Sequence, residues 1–267
     1  MNNLKSSFSG QKLYGDDFSL EEIARWHEDE KEGYANLGSR NKTAYKYRYH
    51  NLDKLYAYNF LPENLSFNNV LGIGSAYGHE FIPIIDRIKS ITIIEPSDHL
   101  VSNKLNDIIP KYIKPNLSGK INFPDRHFDL IVCFSTLHHI PNVSYVLEEL
   151  TRCLKPDGYL LIREPINSMG DWRQPRRGLT KNERGIPLQF FRKQISRLRL
   201  KLVHESLCFS MTSFLCHLLK RPLYNSNLYL KIDRVISQII KFRAGKYHRI
   251  GFLNKIAPAK VVYVLSK

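Results

Sequence analysis

Three groups of residues in this chain are typed and spaced for chemistry. In Val70-Leu71-Gly72-Ile73-Gly74-Ser75-Ala76-Tyr77-Gly78-His79-Glu80, two apolar residues lead into a run of small ones. Glycines at this spacing permit a tight strand-to-helix turn and let a ligand approach the backbone closely. Glu95 stands 21 residues after Gly74, at the end of the apolar run SITIIE. A carboxylate there is placed to receive two ribose hydroxyls. His138 and His139 follow the apolar run FDLIVCFS, and Glu164 follows YLLIR. Imidazole, with an unperturbed pKa of about 6.5, accepts a proton from a hydroxyl without large tuning. A strand-end carboxylate orients such a hydroxyl or takes its proton, and Asp171 is a further candidate base.

The third group is a polar stretch, 164–190, that carries Arg173, Arg176, Arg177 and Arg184. Guanidinium forks match phosphate and carboxylate geometry, so this stretch is expected to hold an anionic acceptor, with Tyr247, His248 and Arg249 joining it. The competing reading is a set of salt bridges to Asp171 and Glu183. Net charge supports an anionic partner confined to one region. Residues 1–170 hold 19 basic and 21 acidic side chains, whereas 171–267 hold 21 basic and 4 acidic. Cys133, Cys153, Cys208 and Cys216 show no metal-type spacing and read as reduced, and no metal site is expected.

Apolar runs and helical periodicities alternate along the chain. Residues 1–20 read as frayed or draped. Residues 20–31 read as a helix with Ser19 and Glu22 as its capping box. Tyrosines 34, 45, 47, 49, 56 and 58 suit either an aromatic packing helix or a cap over a planar or sugar-like ligand, with Trp26 and His27 on the same surface. Strands are expected over 69–73, 90–95, 128–135, 159–163, 200–209 and 259–265. Helices are expected over 77–88, 98–109, 143–153, 190–198, 214–220 and 228–241. Repeated strand–helix units imply an open parallel sheet in an α/β fold. The division is a helical cap (1–60) and a main domain (61–267), with a substrate loop (164–190) and a helical insertion (210–250).

The blocks VLGIGSAYGHE, TIIEPS, FPDRHFDLIVCFSTLHHI and LKPDGYLLIREP, in this order over 69–165, resemble the class I S-adenosylmethionine-dependent methyltransferases. GDWRQPRRGLTKNERGIP, LYNSNLYLKIDR and KYHRIGFLNKIAPAKVVYVL resemble a bacterial branch associated with surface-polysaccharide and sugar pathways. The resemblance implies a three-layer α-β-α sandwich on a mostly parallel seven-stranded sheet, and S-adenosyl-L-methionine as cofactor. Gly74, Ala76 and Gly78 would line its methionine end, Glu95 would bind its ribose, Ser135 would pass close to the methionine moiety, and Gly72, Ser75, Glu80 and Pro96 would also belong to the cofactor site. The acid commonly found at the end of the first strand is Gly72 here, so Glu80, His79 or Glu164 is expected to compensate. Ala76 replaces a glycine and is tolerable with a negative φ. No Asp precedes the FPD block, which leaves the adenine to Asn116, Asn122 or backbone groups.

The function expected is transfer of a methyl group to a hydroxyl of a sugar, nucleotide sugar or glycan precursor in the cytoplasm. Nucleic acid is a weaker acceptor, because the Asn/Asp-Pro-Pro-aromatic block of base-amino methyltransferases is replaced by Ser135-Thr136-Leu137-His138. A lipid-linked acceptor with peripheral membrane contact is a further alternative, through FSMTSFLCHLL (209–219) beside Lys220 and Arg221. A non-catalytic cofactor-binding or scaffold protein and a nicotinamide oxidoreductase complete the set. Oligomeric state is open.

Overall fold

The computed structural model describes residues 2–36, 45–172 and 174–267. Seven strands form one sheet: β1 Phe67–Ile73, β2 Ile88–Ile94, β3 Lys111–Ile113, β4 Phe128–Phe134, β5 Leu154–Pro165, β6 Lys201–Cys208 and β7 Lys260–Ser266. Their order is β3-β2-β1-β4-β5-β7-β6. Strands β1 to β5 pair in parallel, and β7 runs antiparallel between β5 and β6. The order reverses between β1 and β4, and such a switch point opens a crevice at the carboxyl ends of the strands.

Alternation along the strands divides the core between two faces. Leu71, Ile131, Cys133, Ile162 and Tyr263 pack with helices α4 (Val143–Cys153) and α5 (Leu188–Arg197). Val70, Leu130, Val132, Leu161 and Val262 pack on the opposite face, under α3 (His50–Tyr56), a 3-10 stretch His79–Arg87, and Leu230 of the C-terminal insertion. Because both faces are covered, the central strands read as continuous apolar runs. Each fully buried aliphatic side chain contributes roughly 1.5–3 kcal/mol.

Several elements depart from the sequence expectations. The first residues form a helix, α1 (Asn2–Ser9), and Leu13 is buried, so this segment is not frayed. Helix α2 (Leu20–Glu30) has the expected box, with Ser19 Oγ accepting from the Glu22 N–H and the Glu22 carboxylate from the Ser19 N–H. The chain after β1 is 3-10 rather than α-helical; Pro83 lacks the N–H that a regular α-helix would need. No helix forms over 98–109. Ser102 Oγ donates to the Lys104 carbonyl and the His99 N–H to Ser97 Oγ, local bonds that compete with helix formation. Strand β3 was not anticipated, because three residues between Pro110 and Pro115 carry too little pattern; the expected third strand is therefore β4. Tyr45 to Tyr49 are non-helical, and only His50–Tyr56 is helix. Cys133, Cys153 and Cys208 are buried, Cys216 is half-buried, and all four are free.

The connection between β5 and α5 is held by arginines donating to backbone carbonyls. Arg184 is fully buried; its guanidinium donates to the carbonyls of Tyr14 (2.9 Å), His138 (3.2 Å), Ile140 (2.9 Å) and Pro141 (3.0 Å), and lies over Trp26. Arg176 donates to the carbonyls of Met169, Thr180, Lys181 and Glu183. These donors satisfy backbone groups that irregular chain cannot pair by itself. Replacing Arg184 by Met removes all four bonds; the His138 and Pro141 carbonyls keep the backbone N–H groups of Arg184 and Val143, whereas those of Tyr14 and Ile140 lose their guanidinium donor. Urea denaturation is expected to show a loss of about 2–4 kcal/mol.

Candidate active site

A cavity of about 380 Å³ opens at the carboxyl edge of β1, β2, β4 and β5. Its size falls within the range of small-molecule sites, about 300–1,000 Å³. Gly74, Ser75, Ala76, Glu95, Pro96, Ser135 and Thr136 line one part of it, with Asn116, Leu117 and Ile121. Tyr34, Tyr45, Tyr47, Tyr49, Trp26, Glu30, Glu80, His138, His139, Arg163, Glu183 and Lys260 line the rest. The alternating tyrosines 45, 47 and 49 thus lie on the cavity wall, while Tyr56 and Tyr58 belong to the core.

The turn after β1 is tightly built. Gly74 has φ +60°, and a Cβ there would overlap the Thr136 side chain. Ala76 has φ +45°, contrary to the negative value expected, so an L side chain sits in the left-handed region. Glu95, buried, accepts from the N–H groups of Ala76 (3.1 Å) and Ser97 (3.0 Å). Burial outweighs those two N–H groups and pushes its carboxyl up to about 7.

Gly72 and Gly78 do not line the cavity, and Gly72 has no room for the acid sought there: a Cβ would overlap Ser75 Oγ and press on Phe81. Glu80 arrives from beyond the turn instead. It accepts from Ser75 Oγ (2.6 Å), and burial pushes it up to about 8. Of the two adenine candidates, Asn116 lines the cavity and Asn122 does not. The Gly74 cradle, the Glu95 carboxylate at a strand end and the Glu80 carboxylate are groups that suit a nucleoside bearing a cationic chain.

Across the cavity floor, His138 lies between two carboxylates. Its Nδ1 is 2.6 Å from Glu164 Oε2, and its Nε2 is 3.4 Å from Glu183 Oε1. Glu164 is fully buried and also accepts from the N–H groups of Thr136 and Leu137, each at 2.7 Å. It therefore fixes the imidazole and does not itself line the cavity. Burial alone would lower the His138 pKa, but Glu164 and Glu183 outweigh it and hold it above the ordinary imidazole value. Burial raises and the histidines lower Glu183, which ends at about 2. His139 Nδ1 is paired with Glu30 of α2 at 2.8 Å. His138, His139 and Glu183 form a compact group of metal-type donors, in which both His138 nitrogens already face carboxylates.

A second charged cluster was missed at the sequence level. Arg163, buried near the carboxyl end of β5, lies between the rings of Tyr49 (4.5 Å) and Phe134 (5.0 Å). Its Nη1 is 3.3 Å from Asp53 Oδ1, and Tyr47 donates to Asp53 Oδ2 at 2.5 Å. Burial pushes Asp53 up to about 6, and burial with the neighbouring Arg163 holds Lys260 down to about 8. The sequence signal was available: YLLIR places one guanidinium in an otherwise apolar central strand.

Among the described residues, two of the arginines expected to bind an anion are turned to backbone carbonyls instead. The guanidinium groups of Arg176 and Arg184 donate to backbone carbonyls, and neither lines the cavity. Arg177 is exposed, and Arg173 lies outside the described residues. Tyr247 donates to the Gly185 carbonyl (2.6 Å), His248 pairs with Ser168 Oγ (2.8 Å), and Arg249 donates to the carbonyls of Lys246, Ala257 and Pro258. Asp171 does not line the cavity either; Pro165, Met169, Gly178 and Glu183 are the residues this stretch contributes.

A methyltransferase-domain family profile matches residues 44–201, more than half of the chain. The tRNA U34 carboxymethyltransferase of Nautilia profundicola is 33% identical over 104 residues, covering 37% of this chain and 35% of that protein. Probable polyketide synthase 41 of Dictyostelium discoideum is 27% identical over 131 residues, and the chain spans only 5% of its length. Among solved structures, the S-adenosylmethionine-dependent methyltransferase from Mesorhizobium loti aligns with a TM-score of 0.52 at 14% identity, over 79% of this chain and 95% of that one. The methyltransferase in complex with the Haloferax volcanii Trm112 activator aligns at 0.57 and 13% identity, over 89% and 96%. The [4+2]-cyclase SpnF aligns at 0.50 and 14% identity, over 81% and 79%, so the likeness of structures speaks for the fold alone. With the seven-stranded order, the glycine turn and the profile match together, the chain belongs to the methyltransferase-domain family, whose cofactor is S-adenosylmethionine.

Proposed function

We propose that the protein methylates a hydroxyl of a small-molecule acceptor, of the sugar, nucleotide-sugar or glycan-precursor class. The observation that carries this reading is the His138–Glu164 pair on the floor of the cavity that Gly74, Ser75, Ala76 and Glu95 also line. S-adenosylmethionine supplies the electrophilic methyl group on its sulfonium. The chain supplies positioning and a proton acceptor, which together account for much of the rate in such transfers.

His138 Nδ1–H donates to Glu164, so the proton acceptor is Nε2, which stands beside Glu183, itself a cavity-lining residue. When Nε2 takes the acceptor's hydroxyl proton, Glu183, 3.4 Å away, stabilises the resulting imidazolium. Glu164 is a positioning residue, and His139, held by Glu30, completes that wall. Tyr34, Tyr45, Tyr47 and Tyr49 offer flat apolar area with hydroxyls at its edge, which suits a sugar face. An anionic group on the acceptor is received by Arg163 and Lys260, both on the cavity wall, rather than by the arginines of the loop.

The direct test is transfer from methyl-labelled cofactor to a panel of nucleotide sugars and their neutral parent sugars. Label is expected on a sugar hydroxyl; label in RNA with none in any sugar overturns the proposal. His138→Gln is expected to lower kcat by about 10²–10⁴-fold while leaving S-adenosylhomocysteine affinity intact. In the same calorimeter Gly74→Val should abolish that affinity, because valine would need φ +60° and would overlap Thr136. The pH profile carries a sign. Base function requires neutral His138, so kcat should rise with pH through a midpoint above 6.5. Glu183→Gln removes a carboxylate that raises this pKa, and the rise should move to lower pH.

A further inference from the structure

Helix α7 (Asn227–Ile239), between α6 (Thr212–Leu218) and α8 (Phe252–Lys255), is amphipathic in the wrong sense for a free surface. Leu228, Ile232, Val235 and Ile239 are 72%, 49%, 60% and 69% exposed. Their spacing of four, three and four residues aligns them in one stripe about 17 Å long. Phe242, in the turn that follows, is 80% exposed and extends the row. The inward face of the same helix carries Asp233 and Ser237, both buried. Asp233 accepts from the N–H groups of Phe209 (2.7 Å) and Ser210 (3.0 Å), and Ser237 Oγ pairs with Ser210 Oγ (2.7 Å). Tyr56 of α3 donates to the Leu230 carbonyl at 2.7 Å. These bonds fix the rotation of the helix, so the aliphatic stripe is held outward.

Charge along this segment of the chain has one sign. Residues 211–255 contain nine lysines and arginines and a single acidic residue, Asp233, which the inward bonds consume. Lys220, Arg221, Lys231 and Lys241 are exposed, Lys231 on α7 itself and Lys241 in the turn that follows it. Leu218 and Leu219 of the preceding segment are likewise exposed, at 61% and 48%.

We propose that the outward face of α7, with the Leu218–Arg221 segment and Phe242, is a docking surface for an anionic lipid membrane. Aliphatic side chains ringed by lysine and arginine match the acyl boundary and the phosphate layer of such a surface. A second copy of this chain would bring a like-charged patch against this one, and a nucleic acid would leave the aliphatic row unused. Among the described residues no helix is long and apolar enough to cross a bilayer, so the contact lies in the interface plane. The segment differs from the 209–219 stretch expected from sequence: Phe209 is buried, and the exposed row lies mainly on α7. The surface also adjoins the tyrosine wall, since Tyr224, just ahead of α7, packs on Tyr49 with ring centroids 5.0 Å apart.

Co-sedimentation of the full chain with vesicles tests the proposal. Binding is expected to phosphatidylglycerol-containing vesicles and not to pure phosphatidylcholine vesicles, and to weaken as salt rises. Leu228→Ser with Ile232→Ser and Ile239→Ser should lower binding at least tenfold, with an unchanged circular dichroism spectrum because all three side chains face outward. Lys220→Gln with Arg221→Gln and Lys231→Gln should weaken binding and flatten its salt dependence. No binding of the parent protein to the anionic vesicles, or equal binding by the triple-serine variant, overturns the proposal. So does a dimer, seen by analytical ultracentrifugation without vesicles, that the serine substitutions dissolve.

Discussion

The buried carboxylate of Glu164 is the constraint from which the rest of the site follows. It ends β5 and accepts from two backbone N–H groups of the turn after β4 and from the His138 imidazole. Thr136, in that turn, donates its hydroxyl to the Ile73 carbonyl at the end of β1. The carboxyl ends of β1, β4 and β5 are thus joined through one short turn, whose Ser135 holds φ +59°. Hydrogen bonds to a charged group contribute about 1.5–3 kcal/mol each. Three on one carboxylate are strong enough to hold this left-handed turn and to set the imidazole's orientation before any ligand arrives.

The arginines of the long connection show how residue type can mislead. Their number and the local positive charge fit an anion site, yet Arg176 and Arg184 are consumed by backbone carbonyls. An irregular segment packed over the sheet edge has carbonyls with no ladder to accept from, and a five-donor guanidinium serves several at once. Sequence composition cannot separate that use from phosphate binding, because both draw on the same fork. Arg163 was overlooked for the converse reason. A single charge inside YLLIR was absorbed into an apolar strand pattern, although a central strand covered on both faces leaves a guanidinium no exit to water.

Strong periodicity made most of the fold legible. The α4 helix follows from apolar positions 143, 146, 147 and 150, and α2 from its capping box. The missed elements are those whose structure depends on tertiary context. Strand β3 has three residues and gains its identity only by pairing with β2. The 98–109 segment has helical spacing, but Ser102 turns its hydroxyl to the Lys104 carbonyl and Ser97 accepts from the His99 N–H. Tyr45, Tyr47 and Tyr49 alternate with a period of two, the signature of extended chain, and a helix could not turn all three toward one cavity. Glu30 and Glu183, which flank the histidines, come from α2 and the long connection, and nothing in their local sequence marks the meeting.

The glycine turn explains why the family's strand-end acid is absent at position 72. Ser75 turns its hydroxyl back toward Gly72, so a side chain at 72 and the Ser75–Glu80 bond exclude one another. A carboxylate can serve this end of β1 from within the strand or from beyond the turn, but not from both. With Glu80 supplying it, the group sits behind Ser75, dry enough to stand at about 8. It therefore holds a proton more readily than an exposed carboxyl, the nearby Arg163 offsetting its burial only in part. On the proposed reading, the cofactor's cationic end favours the ionised form and displaces that proton. On that reading, cofactor binding and proton release would be coupled at Glu80, a coupling that an acid exposed at the strand end would not show.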